Sequence, residues 1–497
     1  MPSKDLFLGV DAGSSVFKAA LFDAEGALVA VASEPTPLTR GNTTVEADPG
    51  MAWSAAVRVL RQIAEAAKPE GTIVAMGVAG AMVGAWVVDA HGRTLRAGIN
   101  WEDSRAGDLI DEMKRANPSV LSDIFAVSGS ALQQGCTLPV TAALLRDEPE
   151  LMARAHAVIG YKDWLRLRLT GRIATDVSEA AVAPGDARTQ ARSPALIELF
   201  GLSNRAALFP EVLPSGGIAG HVSAAAARET GLPQGLPVVA GAGDVVANVI
   251  GAGGMQSGAV TGLLGTTCMI GVCRTQPVFE PAGLGLVFSL PERHWFRAMV
   301  NVAGTLNLDW AIALLFPDLR GSADLWDRVT DRAAAVPIGS RGVTYLPYLS
   351  ESGIIAPVAD PSARAGFGGL TPAVGRDEMI RAVYEGVACS IADLCDLLAA
   401  SPDAPILLTG GGGRSAFWCA MIAELTGRKV TVPDGAEFGA RGAALLAATA
   451  SGRFASVAAA SSAMAGSGKT YSPAGQDTAA WDGLRLAYRR ARDRALG

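Results

Sequence analysis

A strand that runs into a tight turn of small residues, with a lone acid beside it, is written twice into this chain. The later copy begins at Leu236–Ala240, whose branched apolar residues read as a buried strand. Gly241-Ala-Gly243 then lets the backbone turn sharply or approach a ligand closely, and Asp244 follows as a single carboxylate in apolar surroundings. Further on, Ala259–Leu264 leads into Gly265-Thr266-Thr267, a hydroxyl-bearing turn between two apolar strands. This set suits phosphoryl transfer. The acid can take a proton from an attacking hydroxyl, and the turn can offer N–H groups and hydroxyls to phosphate oxygens. A capping Asp and an ordinary hairpin would also account for these residues taken alone.

The earlier copy opens the chain. Leu6–Val10 reads as a strand, Asp11-Ala-Gly13-Ser14-Ser15 as a polar turn, and Val16–Phe22 as a second strand carrying Lys18. After Asp23–Gly26 comes a third strand, Ala27–Ala32. Asp11, small hydroxyl residues and a nearby Lys repeat the logic of Asp244 and Gly265-Thr266-Thr267. One such site per half points to an internally duplicated α/β architecture.

Length and charge fit that reading. At 497 residues the chain exceeds one ordinary core, so two domains are expected. A net charge of −6 without any block of like charge argues against nucleic acid and anionic membrane as partners. ATP stays admissible, because backbone amides, an occasional Lys and Mg²⁺ can hold its phosphates. The six cysteines are scattered, none as Cys-x-x-Cys, and there are only four histidines. That argues against a zinc site or disulfide framework and for the reduced thiols of a cytoplasmic protein. Met1-Pro-Ser-Lys-Asp5 places an acid just before the first apolar run, so no signal peptide is expected. Gly71–Val88 is uncharged and contains Gly80-x-x-x-Gly84, but its length is marginal for a membrane span and glycines interrupt it. It reads as two buried strands around a loop.

Between these landmarks, Asp48-Pro49 caps and opens a helix to about Ala67, followed by strands at Ile73–Val78 and Ala85–Val88. His91 falls in a surface turn. In Asn100-Trp101-Glu102-Asp103-Ser104-Arg105, an aromatic face, a carboxylate and a guanidinium suit a polyhydroxylated ligand; a salt bridge opening a helix is the plainer reading of these residues alone. Asp163–Thr170 reads as a helix stopped by Gly171, and Thr175–Ser178 as a loop. Strands near Met269–Cys273 and Gly342–Leu346 and a helix from about Arg376 to Ala400 follow. Leu407–Thr409 runs into Gly410–Gly413, Arg414 and Ser415, where a nucleotide can lie against bare backbone. Glu437-Phe-Gly439-Ala440-Arg-Gly442-Ala443 opens a helix whose small residues permit close packing. Gly466-Ser-Gly468-Lys469-Thr470 imitates the end of a phosphate loop, but Ala463 stands where its first glycine belongs. That segment reads as a linker to a terminal helix, Thr478–Leu496.

From about residue 6 to 450 these motifs, in this order, resemble the FGGY family of carbohydrate kinases, within the actin/hexokinase/Hsp70-type ATPase superfamily. Asp11-x-Gly13-Ser14-Ser15-x-x-Lys18 is similar to its first phosphate motif and Gly265-Thr266-Thr267 to its second. Trp101, Asp103 and Arg105 match its sugar motif, Gly241-x-Gly243-Asp244 the segment of the catalytic base, and Gly410–Ser415 the adenosine motif. Ala365-x-Phe367-x-Gly369-Leu370 and Glu378-Met379-x-x-Ala382-Val383-Tyr384-Glu385 match its C-terminal signature. Departures fall on the sugar-facing parts. Met82-Val83-Gly84 replaces the Met-His-Gly usual in xylulokinases, Thr141–Leu145 lacks the expected Lys and Trp, and Ser350–Ile354 replaces Gly-Glu-Arg-Thr-Pro.

The resemblance implies two ribonuclease-H-like α/β domains with a cleft between them, residues 1–245 binding sugar and 246–497 binding ATP. It implies Asp244 as catalytic base, Met82, Trp101, Asp103, Arg105 and Asp244 on the sugar, and Asp11 and Asp244 toward Mg²⁺ through water. ATP would meet Gly13, Ser14, Ser15, Lys18, Gly265, Thr266, Thr267, Gly411, Gly412 and Ser415. The expected reaction is phosphorylation of a small sugar or polyol, D-xylulose first, with L-xylulose, ribulose, erythritol and glycerol as alternatives and a homodimer as the candidate assembly. An actin- or Hsp70-like machine is the rival, opposed by Trp101, Asp103 and Arg105. A binding protein with a dead site is opposed by the presence of both Asp11 and Asp244.

Overall fold

The computed structural model describes residues 4–351, 353–360, 362–464 and 468–497. Ser352 of the diverged 350–354 segment, and Gly466 and Ser467 of the rejected phosphate loop, lie outside the described residues.

The first sheet grows from the predicted meander. Strands β1 (Asp5–Ala12), β2 (Val16–Asp23) and β3 (Leu28–Pro35) pair antiparallel, and helix α1 (Pro49–Ala67) covers one face. Asp48 caps α1 by accepting the Met51 N–H at 2.8 Å. Strand β4 (Thr72–Gly80) adds parallel to β1, then β5 (Ile218–His221) and β6 (Pro237–Val239) complete the order β3-β2-β1-β4-β6-β5, with β7 (Ala242–Gly243) also on β4. Leu6, Leu8 and Val10 alternate toward Val59, Leu60 and Ile63 of α1, while Phe7 faces the opposite side.

Helix α2 (Val177–Val182) lies between β4 and β5 in sequence, and α3 (Asp244–Gly251) leaves β7 toward the second half. There, β8 (Val260–Leu264), β9 (Cys268–Arg274), β10 (Leu286–Leu290) and β11 (His294–Asn301) form an antiparallel run in which β11 lies between β9 and β10. Helix α4 (Arg376–Leu397), β12 (Ile406–Thr409), α5 (Ala416–Thr426) and β13 (Val430–Pro433) follow. The order β10-β11-β9-β8-β12-β13-β14, with β14 being Gly468–Tyr471, repeats the first sheet's plan: an antiparallel run, two parallel strands, then an antiparallel edge. The duplication inferred from two turns is thus a duplication of whole sheets. Two expectations are corrected. Lys469-Thr470 is edge strand rather than linker, because backbone pairing with Val432 and Thr431 satisfies it. Thr175–Ser178 is a short bridge running into α2 rather than a loop, because the Asp176 carboxylate caps the Ser178 N–H at 2.9 Å.

Helix α6 (Phe438–Ala450) belongs to the second half by sequence, yet it packs on β1, β4 and α3. Glycine makes that possible. A Cβ on Gly9 of β1 would stand 1.7 Å from the Ala440 carbonyl oxygen, and one on Gly442 would stand 1.8 Å from that of Ala247. A side chain at Gly9 would push the halves apart, and one at Gly442 would force α6 off α3. A terminal helix, α7 (Thr478–Leu496), closes the chain as expected. Among the described residues no helix is long and apolar enough to cross a membrane, and Gly71–Val88 is β4, a loop and a short strand.

Candidate active site

Because β1, β4 and β7 are parallel, their ends share one edge of the first sheet: Asp11 lies level with Ala79, and Ala79 with Ala242. Gly13–Ser15, Ala81–Gly84 and Asp244 follow directly, at the strand ends where open α/β sheets bind ligands. Asp244 is the first residue of α3, and its Oδ1 accepts the Val245 N–H at 2.8 Å. Burial pushes its carboxyl up to about 6 against the opposing pull of backbone N–H groups. Asp11 is lifted further, to about 7, first by burial and then by the Asp244 charge, with Lys18 acting the other way. Its Oδ1 is buried without a hydrogen-bond partner. A Cβ on Gly439, at the start of α6, would stand 2.3 Å from Asp11 Oδ2, so glycine alone leaves the acid its place.

Lys18, opposite Asp11 in the hairpin, pairs with Glu437 at 2.9 Å. The cation expected on phosphate is held by an acid from the other half of the chain. Glu437 sits in the left-handed region (φ 56°) just before α6, a placement that no local sequence signal announces.

In the second half, Gly265-Thr266-Thr267 closes the β8–β9 hairpin with both threonines exposed. Gly304 donates its N–H to the Thr266 carbonyl at 2.6 Å and Thr305 its own to the Gly265 carbonyl at 2.7 Å, a brace that sequence reading missed. Gly410 adjoins the same turn, since a Cβ there would lie 2.5 Å from the Leu264 carbonyl oxygen. Gly411 faces open space, Gly412 packs over Leu264, and Ser415 Oγ caps α5 by accepting the Trp418 N–H at 3.2 Å. One turn along α3 from Asp244, Asn248 Oδ1 accepts from Thr409 Oγ1 at 3.1 Å, so one helix carries the acid and, about 6 Å further along its axis, a contact to the strand end that leads into the Gly-rich turn.

The sugar motif divides. Trp101 is 40% exposed, and its Nε1 donates to Ser14 Oγ at 2.9 Å, joined by Asn100 Nδ2 at 3.2 Å. That ties the motif to the first phosphate turn. Asp103 is buried, and its oxygens accept from the Arg105 N–H, Arg105 Nε, Arg105 Nη2 and the Val45 N–H at 2.8–3.0 Å. A carboxylate offers about four acceptor positions, so none remains for a sugar hydroxyl. Arg105 in turn reaches Glu46. Asp103 and Arg105 thus brace the loop that carries Trp101. Met82 packs on Gly243, where a Cβ would lie 1.9 Å from its sulfur. Val83 sits at φ 58°, and its N–H is accepted by Glu179 Oε1 at 2.7 Å.

Residues 6–251 match the N-terminal domain of the FGGY family of carbohydrate kinases, and residues 260–451 match its C-terminal domain. The chain belongs to this family. It is a carbohydrate kinase, and FGGY kinases use ATP. An erythritol kinase of Brucella abortus (strain 2308) is 33% identical over 472 residues, 90% of this chain and 88% of that one. A xylulose kinase of Escherichia coli (strain K12) is 31% identical over 453 residues, 89% of each. A gluconate kinase structure from Lactobacillus acidophilus superposes with a TM-score of 0.90 over 99% of this chain and 98% of that one; at 23% identity it speaks for the fold alone.

Proposed function

We propose that this FGGY kinase transfers the γ-phosphate of ATP to a small ketose or polyol, with D-xylulose the first candidate and Asp244 the general base. The observation that carries this is the pairing of Asp244 with Asp11 at one sheet edge, joined by α3 to the hydroxyl- and glycine-rich turns of the other half. The sugar side is assigned to residues 1–245 and the ATP side to 246–497, a division that falls in the first turn of α3. An acid that titrates at about 6 is mostly ionised at pH 7, yet close enough to that pH to take a proton effectively from a sugar hydroxyl. Gly13–Ser15 and Gly265–Thr267 offer amides and hydroxyls to the phosphates from two sides, and Lys18 becomes available when Glu437 releases it. Trp101 gives the sugar an apolar face.

The residues also fit Mg²⁺. Asp11 holds a buried oxygen without a partner, and both acids are the hard oxygen donors this ion takes. Among the described residues no cluster of three or more ligating side chains converges, which suits an ion held largely by nucleotide and water. When bound, Mg²⁺ would neutralise charge on the phosphates, and Asp11 and Asp244 would hold it through water as carboxylates.

Erythritol is the second reading. The erythritol kinase named above is at least as similar as the xylulose kinase, and Val83 removes the histidine that would pair with a sugar hydroxyl. Leaving one buried hydroxyl unpaired costs roughly 1–3 kcal/mol, enough to change sugar preference. The test is kcat/KM across D-xylulose, L-xylulose, D-ribulose, erythritol, glycerol and a hexose. A five-carbon ketose or erythritol should lead; glycerol or a hexose ahead by tenfold overturns the reading.

A further inference from the structure

Behind the Met82–Gly84 loop lies a buried polar network that phosphoryl transfer does not use. Lys162 Nζ contacts Asp163 at 2.6 Å and Asp176 at 2.8 Å, and Arg166 binds Asp163 at 2.8 Å and the Ala240 carbonyl at 2.6 Å. Asp176 accepts from Ser178 Oγ at 2.8 Å and Ser215 Oγ at 2.7 Å. From the first turn of α2, two side chains reach out of this network to the site. Ser178 Oγ accepts the Gly243 N–H at 2.8 Å, one residue before Asp244. Glu179 Oε1 accepts the Val83 N–H at 2.7 Å, while Oε2 is buried with no partner.

Val83 is the strained member. A β-branched residue at φ 58° persists only where its surroundings over-determine it, and Gly84 beside it lies at φ 74° with its N–H on the Gly135 carbonyl at 2.9 Å. We propose that Glu179 is a positioning residue for the sugar acceptor: it holds Val83 in its left-handed conformation, while Ser178 fixes Gly243, so that α2 sets the spacing between the Met82–Gly84 loop and Asp244. This rests on the assignment of that loop to the sugar. Glu179 touches neither substrate nor ATP. Its loss alters acceptor binding rather than nucleotide use.

The experiment compares Glu179→Ala with Glu179→Gln, which keeps the acceptor oxygen for the Val83 N–H. Steady-state KM is measured separately for D-xylulose, erythritol and MgATP, with hydrogen exchange at the Val83 amide. Glu179→Ala should raise KM for the better acceptor about tenfold, leave KM for MgATP within about twofold and speed exchange at Val83; Glu179→Gln should restore all three. Should Glu179→Ala not fold, Glu179→Asp, one methylene shorter, takes its place. In a Val83→Gly background, where positive φ carries no strain, the same substitution should have little further effect. Unchanged acceptor KM and Val83 exchange in Glu179→Ala, equal damage in the Gln variant, or full additivity with Val83→Gly overturns the proposal. Absence of turnover with either acceptor in the unmodified enzyme would instead sink the sugar assignment.

Discussion

The β1–β2 turn and the β8–β9 turn occupy the same place in two copies of one sheet plan, yet they differ in where their acid comes from. Each follows the first strand of an antiparallel run, and that strand has an antiparallel partner on one side and a parallel one on the other. In the first copy the strand end itself bears Asp11. In the second it bears Leu263 and Leu264, and the turn carries hydroxyls only. The second acid, Asp244, is delivered from the start of α3. Backbone topology has been duplicated; charge has not. Two full acid turns facing one nucleotide would set further like charges in a buried space, which raises the cost of ionising any of them. One acid on a strand and one on a helix start allow different roles.

Asp244→Asn separates those roles most strongly. Turnover should fall about 10²-fold or more, the usual contribution of acid–base help, while MgATP still binds. Near-normal turnover measured with saturating acceptor would remove Asp244 from the chemistry.

The second turn's brace runs through a glycine with no room for a side chain. Gly304→Ala places a methyl 2.5 Å from the Gly265 carbonyl oxygen and 2.6 Å from that of Thr267. With two buried N–H bonds disturbed, KM for MgATP should rise about tenfold or more, with acceptor KM little changed. The first turn is braced separately by Thr36, whose N–H and Oγ1 donate to the Ser15 and Gly13 carbonyls at 3.0 and 2.7 Å; an equal rise in acceptor KM would show that the damage is not confined to the nucleotide.

The smallest effect is on stability. Asp11 is raised from 3.8 to about 7 on folding, so the folded protein prefers the proton and stability falls as pH rises from about 4 to about 7. Asp11→Asn removes that loss. Without nucleotide at pH 8, its melting temperature should exceed that of the unmodified protein by about 2–4 °C, on the order of 1 kcal/mol. At pH 4 the difference should vanish. Mg²⁺-dependent use of ATP should weaken in the same variant while acceptor binding without nucleotide holds. A lower melting temperature at pH 8 would mean that Asp11 is satisfied rather than strained.

The C-terminal signature segment makes packing contacts. Glu385, buried in α4, binds Arg381 Nε at 2.7 Å, Ser340 Oγ at 2.8 Å and the Gly339 N–H at 3.0 Å, and Tyr384 packs edge-on against Trp418. These contacts fasten α4 to a loop and to α5. A motif can therefore identify a family without marking its chemistry.

Sequence alone determined what depends on neighbours along the chain. Short apolar runs bounded by polar turns made β1, β2 and β4 legible, Asp48-Pro49 announced α1, and glycine with small hydroxyls marked the Gly13–Ser15 and Gly265–Thr267 turns, because turn and cap chemistry is local. The same locality made Asp11 and Asp244 visible as lone acids at strand ends. Tertiary structure alone decided which groups those acids meet. That Gly439 makes room for Asp11, that Glu437 takes Lys18, that Asp103 is filled by Arg105 and Val45, and that Glu179 holds Val83 all follow from strands and helices far apart in sequence being packed together. Burial and partnership set the charge of a carboxylate and the freedom of its lone pairs, and neither is a property of the residue's own stretch of chain.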